Sequence, residues 1–488
     1  MGSLVSPVAP VPLAELGRVH FTGIGGAGMS GIARVMLARG VPVSGSDAGS
    51  AHVLAELAAL GADVHTGHDA AHLGQADTVV VSSAIRPTNP ELAAARERNL
   101  RVLPRAAALA SIMIGRRATA IAGTHGKTTT TSMLTTILRE CGAEPGYVIG
   151  GVLAETGRGA DDGAGPDLVV EADESDGSFL MLSPYVAVIT NVEADHLDNY
   201  SGLDEIRAAF EAFARRITPG GALITCADDA GARTVADASR SRDIRVRSYG
   251  TAADADYRVS QITPRGMDST FVLTAGPEST DPFERTVTIA VPGRHNVLNA
   301  AAAIAAATEL GVPGPQAAAA LAAYRGAHRR MEPKGEGDGV RVLDSYAHHP
   351  TEVAADLAAA RDLADGGRVV AVFQPHLFSR TRIFATDLGA ALGRADEAVV
   401  LDIYAAREDP EPGVTGQLVA DAVPAGRGHF RPGPLAAVPA VIADLAKPGD
   451  LVLTMGAGDV TTLGPAIVAA LQARGGQPPG PAEGETSG

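Results

Sequence analysis

The stretch Gly123-Thr-His-Gly-Lys-Thr-Thr-Thr130 has the residue types to hold a polyphosphate. Only Thr124 and His125 separate its glycines, where the common phosphate loop has four residues. Gly123 and Gly126 still let backbone NH groups converge, Lys127 can reach terminal phosphates, and Thr128 can ligate Mg²⁺, with Thr129 behind it. Three of the 40 basic side chains are lysine, at 127, 334 and 447. In a chain that otherwise uses arginine, a compact ammonium inside a glycine loop points to phosphate. ATP is the expected ligand.

A metal-bound triphosphate needs carboxylates. The segment EADESDGSF supplies Glu171, Asp173, Glu174 and Asp176, and NVEADHLDNY supplies Asn191, Glu193, Asp195, His196 and Asp198. Each follows an apolar strand, the position where open parallel sheets bind ligands, although some of these acids can equally be a solvated loop. A second glycine loop, Gly23-Ile-Gly-Gly-Ala-Gly28, has Asp47 at the end of the next strand. That is a full dinucleotide fingerprint and reads as a nicotinamide-dependent dehydrogenase, but the same NH-lined turn cradles the diphosphate of a UDP-sugar. Further polar clusters follow later strands: Arg294, His295, Asn296 and Asn299; Asp344, Tyr346, His348 and His349; His376, Ser379, Arg380 and Arg382; Tyr404, Arg407 and Glu408.

Apolar strands alternating with helices must position these residues, which implies parallel sheets. Three such segments fill the 488 residues. The first starts at RVHFTG, the second at RATAIAG, and the third near residue 327, with shorter-spaced β-rich material at 245–291. Pro-rich residues 1–16 and the tail 473–488 are expected to be disordered. A net charge of −16 without a basic stretch argues against nucleic acid. Two cysteines, Cys141 and Cys226, lack metal spacing and suit a reducing compartment. With no secretory pattern at the N-terminus and no apolar run of membrane length, a cytoplasmic protein without membrane insertion is expected.

Taken in order, GTHGKTTT, EADESDGSF, NVEADHLDNY, HNVLNA, DSYAHHPTE and FQPHLFSRTR resemble the Mur ligase family over residues 17–470. The resemblance implies three α/β domains: a Rossmann-like UDP-sugar domain at 17–112, a central P-loop ATPase-like domain at 113–326, and a Rossmann-like amino-acid domain at 327–472. It also implies ATP-dependent joining of L-alanine to the carboxylate of UDP-N-acetylmuramate through an acyl phosphate, in peptidoglycan precursor synthesis. A recycling ligase that adds a preformed peptide is the alternative within the family; a non-catalytic ATP-binding regulator is another reading. Matched residue by residue, Gly23, Gly25, Gly26, Ala27, Gly28, Met29, Ser46, Asp47 and Ser83 would hold the UDP-sugar. Gly123 to Thr129, with His295, Asn296, Asn299 and Arg329, would hold ATP. Thr128, Glu174 and His196 would bind Mg²⁺, two ions in all, and Tyr346, His348, His376 and Arg380 would form the amino-acid and muramoyl pocket. Lys127, Glu174, His196 and His348 are the implied catalytic set, with His348 a candidate general base, in a monomer or weak homodimer. Two positions depart from the family pattern: Ser345 stands where a second acid is usual, and Met331 where an aromatic is usual. No lysine occurs between 128 and 333, so the carbamylated lysine of later Mur ligases is absent, as in the alanine-adding branch.

Overall fold

The computed structural model describes residues 5–49, 51–197, 199–277, 279–406 and 408–476. Asp198, Arg407 and the tail from 477 lie outside them. Three sheets carry the chain. The first contains β1 (Val19–Thr22), β2 (Val43–Asp47), β3 (Asp63–Thr66), β4 (Thr78–Val81) and β5 (Arg101–Pro104), in the order β3-β2-β1-β4-β5. All its pairings are parallel. Its strand order reverses between β1 and β4, so the loops leaving these strands open a crevice at the carboxyl edge. β1 is buried throughout, and the helix Ala27–Ala38 packs against β2. Within the stretch expected to be disordered, Leu13–Glu15 form a 3-10 turn and Leu16 is buried.

The central sheet has ten strands: β6 (Arg117–Ala122), β7 (Gly146–Leu153), β8 (Arg158–Asp161), β9 (Asp167–Glu171), β10 (Val186–Ile189), β11 (Ala222–Cys226), β12 (Val246–Gly250), β13 (Tyr257–Arg265), β14 (Asp268–Ala275) and β15 (Phe283–Ile289). Their order is β15-β14-β13-β12-β11-β10-β6-β9-β7-β8. β6 is flanked by parallel β9 and β10. The three loops that leave these strands therefore converge, and they are the segments rich in Lys, Glu, Asp and His. Apolar runs such as ALITC, buried at every residue, mark strands covered on both faces.

The third sheet contains β16 (Glu332–Gly337), β17 (Val340–Ser345), β18 (Val369–Phe373), β19 (Glu397–Leu401), β20 (Gly428–Arg431) and β21 (Leu451–Met455), in the order β16-β17-β21-β18-β19-β20. Only β16 runs antiparallel. Two apolar clusters, one on each face, bury β18 and β21. By contacts the chain forms two compact units. The first holds the first two sheets except the β13–β14 turn; the second holds residues 328–476 with that turn, 264–269, and the short piece 291–294.

Candidate active site

The phosphate loop joins β6 to the helix Lys127–Glu140. Its glycines carry the positive φ that such a turn requires, +134° at Gly123 and +83° at Gly126. A Cβ on Gly123 would collide with Thr190, and one on Gly126 would lie 2.5 Å from Asn299 Oδ1. The loop is held from β10's side. Asn191 accepts from His125 N through Oδ1 at 2.7 Å, and its carbonyl accepts from Thr124 N at 3.1 Å. Asn299, hydrogen-bonded through Nδ2 to Asn296 at 3.3 Å, closes the other side. These contacts bring the HNVLNA motif against the phosphate loop, with His295 partly exposed beside it. The first turn of the Lys127 helix directs its NH groups at the loop, a ready anion site.

Two carboxylates from the end of β9 divide the work. Lys127 Nζ donates to Glu174 Oε1 at 2.8 Å and to the Gly123 carbonyl at 2.7 Å. Thr128 Oγ1 donates to Glu171 Oε2 at 3.0 Å, which also accepts from Gly150 N at 2.9 Å. Sequence matching set Glu174 beside Thr128; in the structure Glu171 is Thr128's partner and Glu174 is the counter-ion of Lys127. Spacing within an irregular loop does not reveal which of Glu171, Asp173, Glu174 and Asp176 turns back to Thr128. Glu174 Oε2 is buried without a hydrogen-bond partner among the described residues, and His196 Nε2 lies 3.6 Å from Oε1. His196 holds a left-handed backbone, φ +52°, with Asp195 accepting from its NH at 2.6 Å. Oxygen donors at Thr128 and Glu171, with an orphaned carboxylate oxygen at Glu174, fit a hard divalent cation.

At the first glycine loop, Ser46 O accepts from Gly23 N and Ile24 N at 2.8 and 2.9 Å. Asp47 Oδ2 accepts from Gly25 N at 3.0 Å. The acid expected on a ribose hydroxyl thus also braces the loop itself. Gly26 caps the helix and is exposed with Ala27, leaving the turn open. Met29 and Ser46 are buried. Met29 Cγ would lie 3.9 Å from a Cβ built on Gly26, and the Ser46 hydroxyl donates to Glu91 Oε2 at 2.7 Å. Ser83 is exposed beyond β4.

In the second unit, loops that follow three strands of the third sheet bring aromatic and basic groups together. Tyr346 and His348 follow β17, His376 and Arg380 follow β18, and Tyr404 follows β19. The Tyr346–His348 and His348–His376 rings meet edge to face at 5.4 and 5.7 Å, and His376 stacks on Tyr404 at 6.0 Å. Burial, with Arg380 and His376 nearby, outweighs Glu352 and pushes the His348 imidazole down to about 3. At neutral pH it is therefore an uncharged hydrogen-bonding group and a weak base. The Arg329 guanidinium lies over Tyr346 at 4.8 Å and donates to the carbonyls of Gly456 and Gly458 at 2.5 and 3.1 Å. Arg382 points elsewhere, to Glu411, and Ser379 donates to Glu408 at 2.5 Å. Lys334 pairs with Glu332 at 2.9 Å and Lys447 is exposed.

Family models match in sequence along the chain: the Mur ligase family catalytic domain over residues 18–117, the Mur ligase middle domain over 121–307, and the Mur ligase glutamate ligase domain over 329–458. A UDP-N-acetylmuramate–L-alanine ligase of Thermobifida fusca is 60% identical over 96% of this chain and 100% of its own length. The chain belongs to the Mur ligase family. Another enzyme of that name, from Kineococcus radiotolerans, is 55% identical to this Mur ligase over 95% of its chain and 98% of the relative. Among solved structures, the UDP-N-acetylmuramate–alanine ligase of Thermotoga maritima superposes with a TM-score of 0.78 at 28% identity, covering 94% and 99% of the two chains. A murein peptide ligase of Psychrobacter arcticus gives 0.68 at 26% identity, covering 93% and 98%. The two departures of this Mur ligase have local explanations. Ser345 donates to Asp356 on the helix Pro350–Ala364 and accepts from Ala347 N at 3.0 Å, so a carboxylate is present but comes from the helix. Met331 fills the third core beside Leu343 and Met455.

Proposed function

We propose that this Mur ligase joins L-alanine to the carboxylate of UDP-N-acetylmuramate, using ATP and yielding ADP and phosphate. The carrying observation is the phosphate loop: one ammonium and one hydroxyl, each set on its own β9 carboxylate, in a chain 60% identical over nearly its full length to an enzyme of that name. A carboxylate resists amine attack because oxide cannot leave. Phosphorylation to an acyl phosphate makes phosphate the leaving group, and the protein's part is then positioning and charge neutralisation.

Lys127 and the first turn of its helix bind and orient the phosphates. Thr128 and Glu171 would hold one Mg²⁺ and Glu174 with His196 a second; bound there, the metal supplies charge neutralisation at the transferring phosphoryl group. Glu174 keeps Lys127 charged and aimed into the loop. The open turn at Gly25–Gly28 would take the sugar nucleotide. Tyr346, His376 and Arg380 would orient the amino acid and the muramoyl carboxylate, with His348 accepting a hydrogen bond. A monomer or weak homodimer in the cytoplasm fits this chemistry.

The test is phosphate release with ATP, Mg²⁺ and an amino-acid panel. Release should require both UDP-N-acetylmuramate and L-alanine; release with neither added overturns the reading. Preference for a tripeptide over alanine would instead place the chain with the peptide-recycling ligases, a reading for which the likeness to the Psychrobacter peptide ligase speaks.

A further inference from the structure

Arg105 has no part in the phosphate chemistry above, yet it stands between the two glycine-loop regions. It opens the helix Arg105–Met113 directly after β5. Its side chain runs along the first turn of the Ala27–Ala38 helix: a Cβ built on Gly28 would lie 3.0 Å from Arg105 Nη1, 3.3 Å from Cδ and 3.7 Å from Cζ. Gly28 is therefore the residue that lets a guanidinium lie flat on this turn. The other face of Arg105 meets β9's loop, with Nη2 donating to Asp173 Oδ2 at 2.6 Å. Asp173 Oδ1 in turn accepts from Ser175 N at 3.0 Å. The two side chains are 33% and 39% exposed, so the pair is open to water and to a ligand in the crevice.

We propose that Arg105 binds the diphosphate of the sugar nucleotide, with Asp173 holding the guanidinium in place until that ligand arrives. This rests on the reading of the Gly23–Gly28 turn as the sugar-nucleotide site. An ion pair open to solvent contributes little to stability. A diphosphate offers more charge and a bidentate match to the guanidinium fork, so exchange of the carboxylate for phosphate is downhill. The loop then acts from two sides: NH dipoles from the helix start and a full positive charge lying along the same turn.

The variants separate a ligand contact from a structural tie because loss of the guanidinium weakens binding and loss of its carboxylate partner does not. Calorimetric titration of the full chain with UDP, and with UDP-N-acetylmuramate, should show Arg105→Ala weakening both by about tenfold to a hundredfold. Arg105→Lys, which keeps the charge but loses the fork, should fall between. Asp173→Asn should leave UDP binding equal or tighter. In turnover, Arg105→Lys should raise KM for UDP-N-acetylmuramate and leave KM for ATP and alanine unchanged. Wild-type affinity for UDP in Arg105→Ala and Arg105→Lys overturns the proposal, as does parallel weakening by Asp173→Asn. Weakening of UDP-N-acetylmuramate but not of UDP overturns it too, since the contact would not be to the diphosphate. A wild-type chain that binds neither ligand overturns the functional reading as well.

Discussion

Lys127 is placed for phosphate by two carbonyls and one carboxylate, and Glu174 on one side and Glu171 on the other keep the ammonium and the Thr128 hydroxyl from competing for one acid. Replacing Lys127 by Ala should lower turnover by about 10³-fold or more, with an unchanged circular-dichroism spectrum. Glu171→Gln should weaken Mg²⁺-dependent ATP binding by about tenfold or more, measured by titration with and without the metal, and should change metal-free binding much less. His348 gives a pH prediction. Its imidazole is held near 3, so it stays neutral from pH 4 upward. The pH profile of kcat/KM should have no limb from this residue near 6.5, and His348→Gln should lower the rate without moving the existing limbs. At this scale the sequence was legible where chemistry is tied to one residue type in one loop, as at Lys127 and Thr128. It was not legible where a side chain chooses between two faces. That Ser46 donates to Glu91 and Thr128 to Glu171 is settled by packing and loop path.

Strand and helix placement was largely readable because the buried parallel strands, such as LVV at 168–170 and VAVI at 186–189, are continuous apolar runs between turn formers. Short edge strands such as β8 and β20 were not. They are partly exposed and mixed in polarity, and their existence depends on the neighbour they pair with. The same dependence on neighbours appears in the Pro90–Glu97 helix. Its Glu91 is buried and accepts from His20 on β1, Ser46 on β2 and Asp69 N. Burial alone would raise its pKa, but the bonds from His20 and Ser46 outweigh it and bring the carboxyl down to about 2 from 4.5. A folded value below the unfolded one means that this stabilisation is complete above about 4.5 and is lost as pH falls toward 2. Urea unfolding across that window should show a loss of about 3 kcal/mol that is missing in Glu91→Gln. Gly126→Ala tests the loop as an element: with φ +83° and Asn299 at 2.5 Å from the added carbon, it should cost about 1–3 kcal/mol of stability and abolish ATP binding.

For the molecule as a whole, both glycine loops belong to one compact unit, and the His348 and Arg380 cluster to the other. Calorimetry should therefore resolve two unfolding transitions. UDP, or a non-hydrolysable ATP analogue with Mg²⁺, at a hundred times its Kd should stabilise one of them by about 2.7 kcal/mol and leave the other in place. Movement of both by the same amount would show that the units unfold together. In the sequence a third run of alternating strands and helices starts near residue 327; the grouping of 264–269 and 291–294 with the second unit depends on contacts far apart in sequence and has no local signal.

The near-absence of lysine also has a preparative consequence. Of the three ε-amines, Lys127 and Lys334 have side chains only 16% and 17% exposed and are each bound to a glutamate, while Lys447 stands in open solvent. Amine-reactive reagents thus meet essentially one accessible side chain. Biotin or a fluorophore coupled by ordinary succinimide chemistry would label, besides the α-amine, one side chain in the loop before β21, with the phosphate loop left unmodified and free to be assayed.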